Sequence, residues 1–565
     1  MRAPIFIILF LISLLVGQQE MYAAPLSPST AEGASTIAPH DSTPRDSIPQ
    51  DSIPPEERLI SDNDPEGRFP AYHIIATPQR PKRPDVVLAQ KKHFWRAAAE
   101  TFGMNMALWS FDRFVLHGHY AYINFNTIKE NFRHGFYWDN DHLSTNMFAH
   151  PYNGSLYYEA GRSNGFNYWQ SELFAISGSA MWELFMEREY PSTNDIIATP
   201  IGGAALGEVF YRVSDLMTDD TATGWDRFGH ELGIFIVAPM RGITRLVTGQ
   251  AWKRRPTTGR RFGIPPISLR ASLGGRMFLF HDDGNLSKAG ATLLLDLEYG
   301  DRFSPSSRKP YDYFNILVEL DAIRTQPLLN RVEIRGRLLS RDIIDTRSSD
   351  LSVGLYQHFD FFDSDTIRKE DRNELIPETV PYKLGVPASA GGGTMVRFIP
   401  NPRMSIDGFA HLNLVALAGV STDFYRDYHR NYSWGMGFSV KAGLNWALSD
   451  DRISVRIANQ LYWVRTNNNF DSDHTWTWMT RPNGENILIE GGDNGRTTFD
   501  HLEASVNYRL YKNLYLTAGL DFYERHTHYP DISLRVTDQH TFFGTHSFYF
   551  KSQQLGAHLM ATYKF

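Results

Sequence analysis

From about Ile267 onward, apolar side chains fall on every second position. Ala291, Leu293, Leu295, Leu297 and Tyr299 alternate with Thr292, Asp296 and Glu298. Phe314, Ile316, Val318 and Leu320 alternate with Asn315, Glu319 and Asp321, and Val332 and Ile334 with Arg331, Glu333, Arg335 and Arg337. The same period returns at 434–446, 502–510, 514–522 and 555–565. A strand points successive side chains to opposite faces, so each segment has one apolar and one largely polar face. A soluble sandwich has no use for lipid-sized apolar faces on nearly every strand backed by charged ones. A membrane barrel has: its apolar face meets lipid and its charged face lines the lumen.

The pattern yields about twelve strands, and bacterial barrels have even strand numbers. Gly391-Gly392-Gly393 blurs the strand between Val380 and Pro400. Gaps at 364–379, 423–432, 466–496 and 525–549 are long; those at 346–350, 448–452 and 511–513 are short. Long loops on one side and tight turns on the other are the expected pattern, with the tight Gln326-Pro327 connection as an exception. An even count returns both barrel ends to one side. Whatever precedes the barrel is therefore expected below it, on the periplasmic side, or inserted from there.

Ahead of the barrel the period is helical. Candidate helices run at 95–115, near 127–133, on either side of His150-Pro151, at 166–188, from the Ser192-Thr193-Asn194-Asp195 cap to about Met217, and at 226–247 with a break at Pro239. Residues 25–92 are poor in aromatics and rich in Pro, Ser, Asp and Arg, a composition of disorder. At the start, Arg2 precedes an apolar run from Ile5 to Val16 and then Ala23 and Ala24. This reads as a secretory signal cleaved near Ala23 or Ala24. The fold class is thus α+β multidomain: signal peptide 1–24, leader 25–92, all-α domain 93–250, antiparallel transmembrane barrel 263–565.

Composition narrows the function. There is no Cys, which excludes disulfides and a lipid-anchored cysteine. A net charge of −7 offers nothing to nucleic acid. Aromatic content of 13% suits interfacial girdles.

Three resemblances add to this. Phe565, with Tyr563 two places earlier, resembles the C-terminal insertion signal of bacterial outer-membrane barrels, which implies outer-membrane lipid and the barrel-assembly machinery as partners. The units Asp41-Ser42-Thr43-Pro44, Asp46-Ser47-Ile48-Pro49 and Asp51-Ser52-Ile53-Pro54 look like Bacteroidota O-glycan acceptor motifs, with Ser42, Ser47 and Ser52 as acceptors; a solvated Pro-rich spacer is the plainer alternative. Trp138-Asp139-Asn140-Asp141-His142, His150-Pro151-Tyr152-Asn153-Gly154-Ser155-Leu156-Tyr157-Tyr158, Pro191-Ser192-Thr193-Asn194-Asp195 and Gly207-Glu208 with Tyr211-Arg212 resemble the domain of unknown function 3943, over about 138–214. That resemblance implies a Bacteroidota envelope protein and no reaction.

The residues themselves offer two sites. In a helix over 166–188, steps of ~100° put Glu172, Ser179, Glu183 and Glu187 on one stripe of an otherwise apolar helix. Such carboxylates need partners, with Arg162 and Arg212, His142 and His150 as candidates. Either they form a buried ion-pair network or they belong to an acid–base site with Asp139, Asp141, His142, His150 and Asp195. Asp139, His142 and His150 are candidate metal ligands, although no established zinc spacing is present and no cofactor is expected. In the lumen, Arg331, Glu333, Arg335, Arg337, Glu319 and Asp321 either seal the barrel by ion pairs or line a path for a small polar solute. Two functions follow. One is a non-enzymatic pore, plug or envelope-assembly protein. The other is an envelope enzyme acting on lipid or glycan, with its site in the helical domain.

Overall fold

The computed structural model describes residues 91–565, apart from position 140 and 281–287, 304–308, 325, 365–366, 369–377, 424–430, 450, 467–476, 481–485, 491–493 and 534–544. Ser42, Ser47 and Ser52, with the signal and leader segments, lie outside the described residues.

Among the described residues seven α-helices precede the sheet: α1 (Phe94–Phe111), α2 (Phe125–His134), α3 (His150–Ser163), α4 (Tyr168–Met181), α5 (Asp195–Leu216), α6 (Gly224–Val237) and α7 (Pro239–Val247). Asn124 with Thr127 and Asn167 with Gln170 form capping boxes that start α2 and α4. Pro239 opens α7, as its fixed φ allows.

Two helical expectations change. Pro151 does not separate two helices; it lies inside a helical run that continues from 143 to 163. The π turn Thr145–Ala149 leads straight into α3, and this wider turn makes room for a ring that would press on the carbonyl four residues back. Nor is 166–188 one helix. α4 stops at Met181, a π turn follows at Trp182–Met186, and Glu187 is extended. The added residue per turn breaks the predicted carboxylate stripe.

The strands are β1 (Ile267–Phe280), β2 (Lys288–Tyr299), β3 (Phe314–Ala322), β4 (Leu329–Asp345), β5 (Ser349–Asp363), β6 (Ile367–Arg368), β7 (Glu378–Thr379), β8 (Lys383–Asn401), β9 (Met404–Ser421), β10 (Tyr432–Leu448), β11 (Ile453–Thr466), β12 (Thr477–Thr480), β13 (Asn486–Glu490), β14 (Arg496–Tyr511), β15 (Leu514–Ser533) and β16 (Thr545–Lys564). Twelve close into an antiparallel barrel in the order β1-β16-β15-β14-β11-β10-β9-β8-β5-β4-β3-β2, while β6–β7 and β12–β13 are small hairpins in loops. The triple glycine lies inside β8: a Cβ at Gly393 would meet the His411 ring at 2.2 Å, so the missing side chain lets that imidazole lie across the strand. β15 and β16 run further than the alternation suggests and shorten the expected 525–549 gap. At the seam, the Phe565 N–H donates to the Leu269 carbonyl at 2.9 Å.

Inward side chains join strands from opposite walls. Arg331 of β4 bonds Glu503 of β14 at 3.0 Å, six strands away in the barrel order, and lies 3.3 Å from Glu333. Arg276 of β1 holds Glu319 and, at 3.1 Å each, Asp321 and Asp521. Lys441 reaches Asp360 at 2.5 Å, and Arg456 reaches Asp296 at 3.3 Å. Arg335 covers the Phe409 ring, and Arg337 bonds Asp312 at 3.0 Å. This ionic belt has an aromatic cluster on either side. Phe278, Phe362, Tyr382, Tyr462, Phe499 and Tyr523 pack toward the long loops, and Phe303, Tyr313, Tyr356 and Met395 pack toward the base, where the chain enters β1 and leaves β16. Two voids in the belt, of about 30 and 10 Å³, have room for water and none for a solute of several heavy atoms.

The helical domain is not in the lumen. Phe148 packs on Phe359 and Phe361, with ring centroids 6.2 and 4.8 Å apart. Both alternate with the inward His358, Asp360 and Phe362, so they point outward. Trp138 stacks on Trp434, Tyr168 bonds Gln357 at 2.5 Å, and Arg212 donates to the Pro310 carbonyl at 2.7 Å. The helices thus pack on the outward wall rather than below the barrel. Outward residues there are buried, such as Ile334 and Phe359 at 0%, whereas Leu414 and Met436 elsewhere on the wall are 70% and 64% exposed.

Candidate functional site

The helical domain holds two polar centres that its helices bring together by close approach. A Cβ at Gly154 of α3 would stand 1.8 Å from the Thr199 carbonyl oxygen of α5, so these helices meet backbone to backbone. Gly203 and Gly207 likewise serve packing, since a Cβ at either would press on α3 at Gly154, Ser155 or Tyr158.

The first centre is a buried ion-pair network around Glu208 of α5. Its Oε2 accepts from Arg162 Nε at 2.7 Å and from the Tyr158 hydroxyl at 2.8 Å; its Oε1 accepts from Arg162 Nη2 at 3.0 Å and Arg212 Nε at 2.9 Å. The two arginines expected to neutralise Glu183 are therefore committed to Glu208. Sequence spacing contained a signal for half of this, since Glu208 and Arg212 stand four apart on one helix.

The second centre lies at the loop end of the domain, where Asn146 donates to the Tyr432 hydroxyl at 2.7 Å and that hydroxyl donates to the Asp141 carbonyl at 2.7 Å. Both of its shaping turns are π turns, which place Asn146 and Glu183 inward. Single-turn π segments are rare and are found disproportionately at functional sites. Asp139 accepts from Asn146 Nδ2 at 3.0 Å and from Ser192 Oγ at 3.4 Å. Asn194 donates to Asn146 Oδ1 at 3.1 Å and to Asp195 Oδ1 at 3.0 Å. Glu183 accepts from the Ser192 N–H at 2.7 Å. His150 Nε2 stands 3.6 Å from Asp141 and 3.7 Å from Asp195. Asp139, Glu183 and Asp195 are buried, and the Asp141 side chain is 56% exposed, so the centre meets solvent there.

Burial and the nearby Asp139 push the Asp195 carboxyl well above its usual range. Burial likewise pushes Glu183 up to about 7, opposed by its bond from Ser192. Glu187 is also raised by burial and by Glu183; it meets the Trp182 indole N–H rather than a cation. For His150, burial opposes the charged ring, but Asp141, Asp139 and Glu183 outweigh it and raise its pKa. The centre thus gathers more carboxylates than cations and can hold protons near neutrality.

Donor atoms of Asp139, His150 and Asp195 lie within 4.8 Å of one another, a spacing and donor set able to hold a divalent cation. Of the predicted ligands, Asp139 and His150 belong to it. His142 does not: it is exposed, and its carbonyl accepts the Thr145 and Asn146 N–H groups. Asp195, expected only as an acid–base residue, takes its place. A similar trio in the lumen, His501, Glu503 and Asp521, is already engaged by Arg331 and Arg276. Glu172 sits at the other end of α4, away from this centre.

Among solved structures, the chain is similar to a monoaromatic hydrocarbon channel, CymD (10% identity, 54% of this chain and 89% of that one, TM-score 0.22). It is also similar to the NanC porin (7%, 53% and 99%, 0.22) and to a Pseudomonas aeruginosa FadL homologue (11%, 53% and 89%, 0.21). At these scores the likeness carries nothing about function. No curated protein matches the chain. Residues 135–240, which hold every acid of the second centre and its histidine, match the family model described as a domain of unknown function, DUF3943, and the chain carries a DUF3943 domain ahead of its barrel.

Proposed function

We propose that this protein is an outer-membrane barrel that does not conduct and instead anchors its helical domain at the membrane. The observation that carries this reading is the Arg331–Glu503 bond between opposite walls, with Arg276 holding three further carboxylates beside it. The voids beside these ion pairs, of about 30 and 10 Å³, are water-sized, which supports a lumen closed to solutes. In planar bilayers the purified protein is expected to give no unitary current steps at neutral pH. Regular steps from the unmodified chain would replace this reading with a channel.

The loop-end centre favours a second activity, acid–base chemistry on an envelope lipid or glycan. Burial and the nearby Asp139 push the Asp195 carboxyl up, and His150 links it to the solvent-facing Asp141. A carboxyl raised by burial beside other acids is suited to act as a general acid. Asp195→Asn is expected to change the lipid or glycan profile of cells as a deletion does, while the barrel still assembles. A wild-type profile from this variant would remove the catalytic reading and leave the anchor reading standing.

A further inference from the structure

The helical domain has an exposed surface that water does not suit. On α1, Trp95 and Phe102 are 82% and 53% exposed, and their spacing of seven residues puts them on one side of the helix. On α4, Trp169, Leu173 and Ile176 are 54%, 64% and 44% exposed at the i, i+4, i+7 spacing of a single face. Both helices turn several polar groups the other way, with Ser177 of α4 left exposed. Asn105 of α1 donates to the Gly178 carbonyl of α4 and Thr101 to the Ala97 carbonyl, while Ser171 and Ser179 of α4 are buried. An apolar exterior around a polar interior is the reverse of a soluble domain and matches a bundle in lipid.

The height of the domain on the barrel says what covers that surface. On β10, outward residues run from Trp434 near the long loops to Trp446 near the base, with Met436, Phe438, Val440 and Leu444 between them. Twelve residues along a strand tilted as barrel strands are cover roughly 30 Å, the thickness of a bilayer core. The helical domain reaches Trp434 at one limit through Trp138. It reaches Gln357, about midway along β5, through Tyr168, the first residue of α4. α4 therefore rises from Gln357 toward the loop end, alongside the wall and at the depth of the lipid-facing band.

We infer that the helical domain lies within the outer membrane, beside the barrel, and that the exposed faces of α1 and α4 meet the acyl chains of the bilayer. The lipid-facing band of the barrel continues across these helices instead of ending at them. No described helix is long and apolar enough to cross a membrane by itself. Here none needs to: Arg162 of α3 and Glu208 and Arg212 of α5 satisfy one another in the Glu208 network. The loop-end centre then stands at the level of Trp434, where lipid headgroups begin.

The chain has no Cys, so single cysteines report one site each. Phe102→Cys and Leu173→Cys would be placed in the full chain and reconstituted in phosphatidylethanolamine–phosphatidylglycerol vesicles. Leu414→Cys on the bare barrel wall and Arg403→Cys in a tight turn are the references. With a charged, water-soluble maleimide, the two helix positions are expected to label at least tenfold more slowly than Arg403→Cys, matching Leu414→Cys. Labelling at the Arg403→Cys rate while Leu414→Cys stays protected would overturn the inference and leave the barrel in the membrane. Hydroxyl-radical footprinting of the unmodified chain gives the same answer without a substitution. Trp169 is expected to be oxidised at least tenfold less in vesicles than after unfolding in urea, and equal oxidation would overturn the inference.

Discussion

Arg276→Leu is expected to lower the stability of the barrel by about 3–5 kcal/mol, because it leaves buried carboxylates without their cation. Arg276 is buried between Glu319 and Asp321 of β3 and Asp521 of β15, and it also donates to the Tyr523 hydroxyl at 3.0 Å. Glu319 and Asp521 do not depend on it alone, since Arg331 also lies 3.9 Å from each, whereas Asp321 is paired with Arg276. That sharing keeps the loss within the range of one broken buried pair. The measurement is the temperature at which folded, fast-migrating protein converts to the unfolded band, or the denaturant midpoint in micelles. Arg403→Leu, in an exposed turn, should stay within about 0.5 kcal/mol of wild type. Adding Asp321→Asn to Arg276→Leu should recover part of the loss, because neighbouring groups in one network are not additive. An unchanged midpoint for Arg276→Leu would show that the belt is hydrated and the lumen open.

The barrel was legible because its signal is periodic and repeated. Each strand states its own two faces, and closure follows from the loop lengths without knowledge of any contact. Where the period was blurred, at Gly391 to Gly393, the cause was a local demand for space beside His411. The helical domain was less legible, for reasons that particular residues show. The π turn at 182–186 adds a residue to one turn, which no propensity announces, and it took Glu187 off the predicted stripe. Arg162 and Arg212 were expected as partners for the carboxylates of the 166–188 helix, yet nothing in the chain favoured Glu183 over Glu208, which holds both. His142 and His150 looked alike in sequence; only the fold turns His150 toward Asp195 and leaves His142 exposed. The outward position of the helices was hidden because an apolar strand face reads the same whether lipid or helix covers it.

Glu208→Gln and Glu183→Gln separate the two centres of the helical domain. Glu208 is fully buried and its two oxygens accept from both guanidinium groups and from Tyr158. A glutamine there leaves two cations around a neutral amide and turns a donor toward donors. The expected cost is on the order of 3–5 kcal/mol, read from helical ellipticity on heating the full chain. Glu183 faces the Ser192 N–H, which a glutamine carbonyl can still accept. Its pKa rises from 4.5 to about 7 in the fold, so between those values the folded chain holds a proton that the unfolded chain releases. Its contribution to stability is therefore present below pH 4.5 and is lost as pH rises through 7, with a slope of up to about 1.4 kcal/mol per pH unit. Glu183→Gln removes that slope, since the amide does not titrate. The variant should match wild type near pH 5 and exceed it near pH 8, whereas Glu208→Gln should fall below wild type at both. A Glu183→Gln protein that loses as much as Glu208→Gln at pH 5 would place a cation beside Glu183 and restore the ion-pair reading of that residue.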